Sequence, residues 1–194
     1  RPRKSLILYA VSSFLVVIGL ADLLGVVPLK SFWSSFERME GYITLLHLGM
    51  FFVVISSVFK EIDWKRWWNA TLAASFLMVL YCALQITGLK AIQQGGVRVD
   101  GTFGNATYLA VYMLFHIFIA LLFLWREWGK VALRWIYSLL ILSQLFVLYH
   151  TATRGAVLGL LGGVFIIAIL NVKNKGDVAV RKASVILLTV LVVV

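Results

Sequence analysis

Charge and cysteine are the two things this chain has least of. Only 13% of its 194 residues are charged, and 8 acidic side chains face 18 basic ones. A single cysteine, Cys82, sits inside an apolar run. That excludes a disulfide framework and a cysteine-held metal cluster, and leaves a small packing residue. The three histidines, His47, His116 and His150, lack His-x-x-x-His or carboxylate–histidine spacing, so neither a metal nor a cofactor is expected. No Ser–His–Asp arrangement or pair of catalytic carboxylates is present either. What fills the chain instead is 62% hydrophobic residues at a mean hydropathy of +0.97. A soluble domain of this length has no interior large enough for so much apolar side chain. The fold class implied is all-α, a polytopic integral membrane helix bundle.

Apolar runs of spanning character cover 5–27, 42–59, 69–89, 107–125, 135–150 and 155–170, and another begins near Ala183. They predict about seven transmembrane helices in a single transmembrane domain, 1–194. The chain opens on Arg1 and stops inside an apolar run, so the domain is expected to be incomplete at both ends. The runs 135–150 and 155–170 are short for a bilayer of about 30 Å, yet one helix through both would reach about 54 Å. A turn near Thr151–Arg154 is therefore required.

The basic residues agree with such a path. With the N-terminus cytoplasmic, Arg1, Arg3, Lys4, Lys60, Lys65, Arg66, Arg126, Lys130, Arg134 and the cations of 173–182 share that side. Lys30, Arg38, Lys90, Arg98 and Arg154 are left on the other, the asymmetry of the positive-inside rule. The same distribution accounts for the net charge of +10 without a nucleic-acid partner. All seven tryptophans fall in connections or at span ends, where an amphipathic indole anchors at the interface. Gly155, Gly159 and Gly163 recur every four residues, which permits close approach of a neighbouring helix.

Three arginines on the non-cytoplasmic side are candidates for chemistry. Arg38 is flanked by Glu37 and Glu40, and Arg98 lies two residues from Asp100, so each reads equally as a locally neutralised charge. Arg154 has no acidic neighbour in sequence. A guanidinium at the centre of a span costs about 2.5–3.5 kcal/mol on insertion scales, so its position matters. It reads either as a snorkelling anchor or, with Arg98 and Arg38, as a fork for phosphate oxygens at the membrane surface.

Three stretches together resemble the O-antigen ligase and polymerase superfamily of bacterial envelope glycosyltransferases. They are 32–47, with Phe32-Trp33 and Glu37-Arg38 ahead of Gly41 and His47; 98–110, with Arg98-Val99-Asp100-Gly101-Thr102-Phe103-Gly104-Asn105; and Thr151-Ala152-Thr153-Arg154-Gly155-Ala156. Ala106-Thr107 stand where the family pattern has Pro-Asn, and Thr153 where it has Ser. The resemblance covers Trp33 to Leu170, and residues 135–194 correspond to the start of the family's core region. It implies metal-independent transfer of a glycan from a polyprenyl-diphosphate carrier to a hydroxyl on a glycan, lipid or protein, at the outer face of the inner membrane. Arg154, Arg98 and Arg38 would contact the lipid diphosphate, supported by Thr153, Asn105, His47 and His150. The family's histidine base is expected beyond Val194, so no catalytic residue is assigned within the chain. Membrane lipids are the remaining expected partner. A transporter or flippase for a lipid-linked anionic glycan is the alternative that the same arginines allow.

Overall fold

A computed structural model of the chain describes residues 5–35, 40–173 and 184–185. Among them all regular structure is helical: α1 (Leu6–Leu23), α2 (Pro28–Trp33), α3 (Tyr42–Val58), α4 (Glu61–Ile86), α5 (Ala106–Arg126), α6 (Val131–His150) and α7 (Arg154–Lys173). Five of these, α1, α4, α5, α6 and α7, are long and apolar enough to cross a membrane, and α3 adds an apolar helix of 17 residues. The expected run beginning near Ala183 lies outside the described residues apart from 184–185. The six-residue α2, opened by Pro28, is a helix that the apolar runs did not announce. The chain divides into two compact units, Arg1–Arg66 and Trp67–Val194.

In the first unit α1 and α3 meet through glycine. Gly19 and Gly49 are the buried residues of their helices. A Cβ at Gly19 would stand 2.6 Å from the Tyr42 hydroxyl, and one at Gly49 would meet the Leu15 side chain. The Tyr42 hydroxyl donates to the Leu15 carbonyl at 2.9 Å. Small residues that let backbones approach, plus an interhelical hydrogen bond, are what holds helices together where lipid is as apolar as the side chains.

The second unit is built around α5. Its buried positions, Leu109, Ala110, Met113, Ile117, Ala120 and Phe123, follow helical spacing and pack with Leu140, Ile141, Val147 and Leu148 of α6 and with Leu72, Val79 and Cys82 of α4. Several polar side chains in these helices bond locally or across a contact, although the buried Gln144 Oε1 has no hydrogen-bond partner among the described residues. Ser75 donates to the Leu72 carbonyl at 2.7 Å and accepts from Gln144 Nε2 of α6 at 2.8 Å. His116, buried on α5, donates from Nδ1 to the Tyr112 carbonyl at 2.7 Å. Such bonds are required where no water competes for the backbone.

α6 and α7 each hold 20 residues, about 30 Å, so neither is short for a bilayer. The apolar reading began α6 at Trp135 because it stopped at Arg134. The helix extends past that charge to Val131, and the Arg134 guanidinium lies 5.4 Å from the Trp128 ring centroid. The required turn is where it was expected: α6 closes on Thr151, Ala152 takes a left-handed φ of 48°, and the Thr153 carbonyl accepts the Ala156 and Val157 amides that start α7.

Of the three spaced glycines, two serve the close approach. A Cβ at Gly159 would sit 3.2 Å from Leu114 of α5, and one at Gly163 would meet the Phe118 ring, whereas Gly155 and Gly162 face open space. Gly162→Ala should therefore be neutral or stabilising by up to about 1 kcal/mol, through helix propensity alone. Gly163→Ala should destabilise by about 1–3 kcal/mol through overpacking. Thermal unfolding of the two variants in detergent checks this, and equal stabilities would refute the α5–α7 contact.

Candidate functional site

The connection from α4 to α5 is organised by two glutamines and a buried carboxyl. Gln85, in the last turn of α4, donates from Nε2 to the Ala91 carbonyl at 3.0 Å and to Asp100 Oδ1 at 2.7 Å. Its Oε1 accepts the Gly101 amide at 2.9 Å. The second Asp100 oxygen accepts the Gln94 amide at 2.7 Å, and Gln94 Oε1 accepts the Ala106 amide at 3.0 Å. Asp100 is 0% exposed. A carboxyl can be placed there only because a hydrogen-bond donor faces each oxygen. Gly101 completes the fold-back at a left-handed φ of 59°, with a Cβ position only 2.9 Å from Met78 Sδ. A side chain there would be both strained and crowded.

This braced loop reaches the α6–α7 turn through Arg98. The expected alternative, an Arg98–Asp100 ion pair, does not form. Arg98 donates from Nε to the Thr151 carbonyl at 2.9 Å and from Nη2 to the Thr153 hydroxyl at 3.0 Å. The physical reason is that Thr151 is the C-cap of α6, where unpaired carbonyls and the negative end of the helix dipole attract a cation. Asp100 is meanwhile satisfied by neutral donors. The Val99 amide adds a bond to the His150 carbonyl at 3.2 Å. The Thr153 hydroxyl also donates to the Thr151 carbonyl at 3.3 Å. Segments 53 and 55 residues apart in sequence are thus tied at one end of the second unit.

The candidate residues separate on this frame. Arg154 opens α7 beside the tie, is exposed, and has no hydrogen-bond or ion-pair partner among the described residues. Arg98 is half-buried, and its Nη1 makes no hydrogen bond among the described residues. Thr153 holds Arg98. Asn105 is the N-cap of α5, its Oδ1 accepting the Thr107 and Tyr108 amides at 2.8 and 3.4 Å, the standard use of asparagine at that position. His150 contributes its carbonyl, while its ring stacks edge-on against Phe146 at 4.6 Å. His47 lies on α3 of the first unit, exposed, with Nδ1 donating to the Ile43 carbonyl at 2.7 Å. Arg38 lies outside the described residues.

Four contributors had not been singled out from sequence: Gln85, Gln94, Asp100 as a brace, and Thr151. A signal existed for Gln85, an amide in the last turn of an apolar span ahead of a glycine-rich loop. No local pattern announces that Thr151 offers its carbonyl to a residue 53 positions earlier.

The first unit holds a cavity of about 330 Å³ lined by Val16, Leu20, Asp22, Phe32 and Tyr42 among others. Its lining is mainly apolar, Asp22 and Tyr42 being the residues with polar side chains, and none of the candidate residues lines it.

The chain matches no protein-family model, no curated protein and no solved structure.

Asp100→Ala should leave the Gln94 amide without an acceptor and Gln85 Nε2 with the Ala91 carbonyl alone, a loss of about 2–4 kcal/mol. The same variant should open 87–105 to protease. Unfolding curves and limited proteolysis of the purified protein check it, and an unaltered cleavage pattern would contradict the brace.

Proposed function

We propose that the chain is the membrane part of an envelope glycosyltransferase of the O-antigen ligase or polymerase type. It would move a glycan from a polyprenyl-diphosphate carrier to a hydroxyl acceptor at the outer face of a bacterial inner membrane. The observation that carries the reading is the tie between Arg98 and the Thr151–Thr153 turn, with Arg154 unpaired beside it. Two stretches that resemble the family in sequence meet at one end of the second unit, and they leave cationic donors free there. The charge asymmetry of the sequence supports a cytoplasmic N-terminus and, with Arg126, Lys130 and Arg134 in the α5–α6 connection, an outer position for this end of the second unit.

In such a transfer the bond from the sugar's anomeric carbon to the diphosphate oxygen breaks as a bond to the acceptor oxygen forms. The acceptor's proton passes to a base not among the residues assigned here, and polyprenyl diphosphate leaves. Negative charge grows on the leaving phosphate. Arg154 offers a whole guanidinium to it and Arg98 its Nη1 edge, fixed in place by the two bonds already made. Donors held where charge develops need no reorganisation at the moment of reaction. α5 and α6 run unbroken for 21 and 20 residues, which favours this surface chemistry over a transporter site formed by helices interrupted at the midplane.

In a strain whose own gene is deleted, Arg154→Ala should lower glycan transfer by about 10²–10³-fold, the usual loss for one such donor. Membrane level should be unchanged and Arg154→Lys should retain part of the activity. Wild-type transfer by the alanine variant would remove Arg154 from the mechanism.

A further inference from the structure

The opposite end of the second unit carries a different cluster, around the connection from α5 to α6. Within 125–135 stand Trp125, Trp128 and Trp135 together with Arg126, Lys130 and Arg134, against a single acid, Glu127. The three indoles are 72%, 57% and 68% exposed, respectively. Lys130 is engaged by Glu127, with Nζ 2.6 Å from Oε2. Arg126 and Arg134 have no ion-pair partner among the described residues. Arg134 lies over Trp128 at 5.4 Å, a cation–π arrangement that holds the guanidinium against the ring while its N–H edge stays available. The backbone is tight here, the Lys130 amide bonding the Glu127 carbonyl at 2.9 Å, so the two arginines flank one short turn.

From this arrangement we infer a binding site for the headgroup phosphate of an anionic phospholipid such as phosphatidylglycerol. The charge left over after the Lys130–Glu127 pair is two arginines, whose planar forks suit phosphate oxygens. The exposed indoles lie at the ends of apolar spans, the level at which a phospholipid headgroup meets its acyl chains. A ligand free in water would use the arginines and leave the indoles unmatched. A lipid uses both, the phosphate on the guanidinium groups and the glycerol and upper acyl chain on Trp128 and its neighbours. The site is independent of the proposed transfer, which involves the other end of the unit.

The test reads tryptophan fluorescence of the full chain in phosphatidylcholine vesicles that hold a small fraction of brominated lipid. Brominated phosphatidylglycerol should quench several-fold more strongly than brominated phosphatidylcholine at equal mole fraction. Each cation near an anionic membrane surface contributes about five-fold in partition. The R126Q/R134Q variant should lose most of this preference, while its quenching by brominated phosphatidylcholine stays at the wild-type level and so reports an intact fold. The charge-keeping R126K/R134K variant should hold only part of the preference, since an ammonium keeps the charge but not the fork. Equal quenching of the wild-type protein by the two lipids overturns the inference. A preference for phosphatidylglycerol that survives in R126Q/R134Q overturns it equally.

Discussion

At one end of the second unit a guanidinium does the work that water does elsewhere. α6 ends on a Thr151 carbonyl with no partner inside the helix, and Arg98, from a loop more than fifty residues earlier, donates to it at 2.9 Å and to the Thr153 hydroxyl at 3.0 Å. A cation at a helix C-terminus also meets the favourable end of the dipole. The placement of the loop, the left-handed step at Ala152 and the start of α7 at Arg154 all follow from that docking. Arg98 is presented by a loop that is braced from within, Gln85 Nε2 and the Gln94 amide each donating to one Asp100 oxygen and Gln85 Oε1 accepting the Gly101 amide.

This arrangement changes how the arginines should be regarded. Arg98 and Arg154 differ in kind although both are basic residues near one turn. Arg98 is committed to protein through two of its nitrogens, and its third makes no hydrogen bond among the described residues. Arg154 has no hydrogen-bond or ion-pair partner among the described residues and sits at the head of a helix, where a cation gains nothing from the dipole. Its cost in hydrocarbon is avoided because α7 begins with it, so the charge lies at the end of a span. A free guanidinium beside a fixed one is an arrangement suited to an anion of more than one charge, which is the chemistry the diphosphate reading requires.

Much of the fold was legible because bilayer physics is severe. Runs of apolar residues have to be helices, a 36-residue run has to turn, and Thr151–Arg154 is where it does. The boundaries were less legible, since α6 continues past Arg134 by resting the charge on Trp128 and composition carries no trace of that contact. Small residues were legible in part. The Gly159 and Gly163 spacing was visible, whereas the Gly19–Tyr42 and Gly49–Leu15 approaches link positions with no shared period. For the candidate site, sequence identified Arg98, Thr153 and Arg154 but offered Asp100 as the partner of Arg98. Nearness along the chain favoured that pair, while the unmet carbonyls of a distant helix end decided otherwise. Asn105 stood out for the same motif and serves as a helix cap.

The most direct measurement of this account is a double-mutant cycle on Arg98→Ala and Thr153→Ala, read by unfolding free energy in one detergent. A charge-assisted hydrogen bond between the two side chains predicts a coupling of about 1 kcal/mol or more. The cycle cancels the bond that Thr153 makes to the Thr151 carbonyl. Additive effects, with coupling near zero, would contradict the bond from Arg98 to the Thr153 hydroxyl, the side-chain half of the tie.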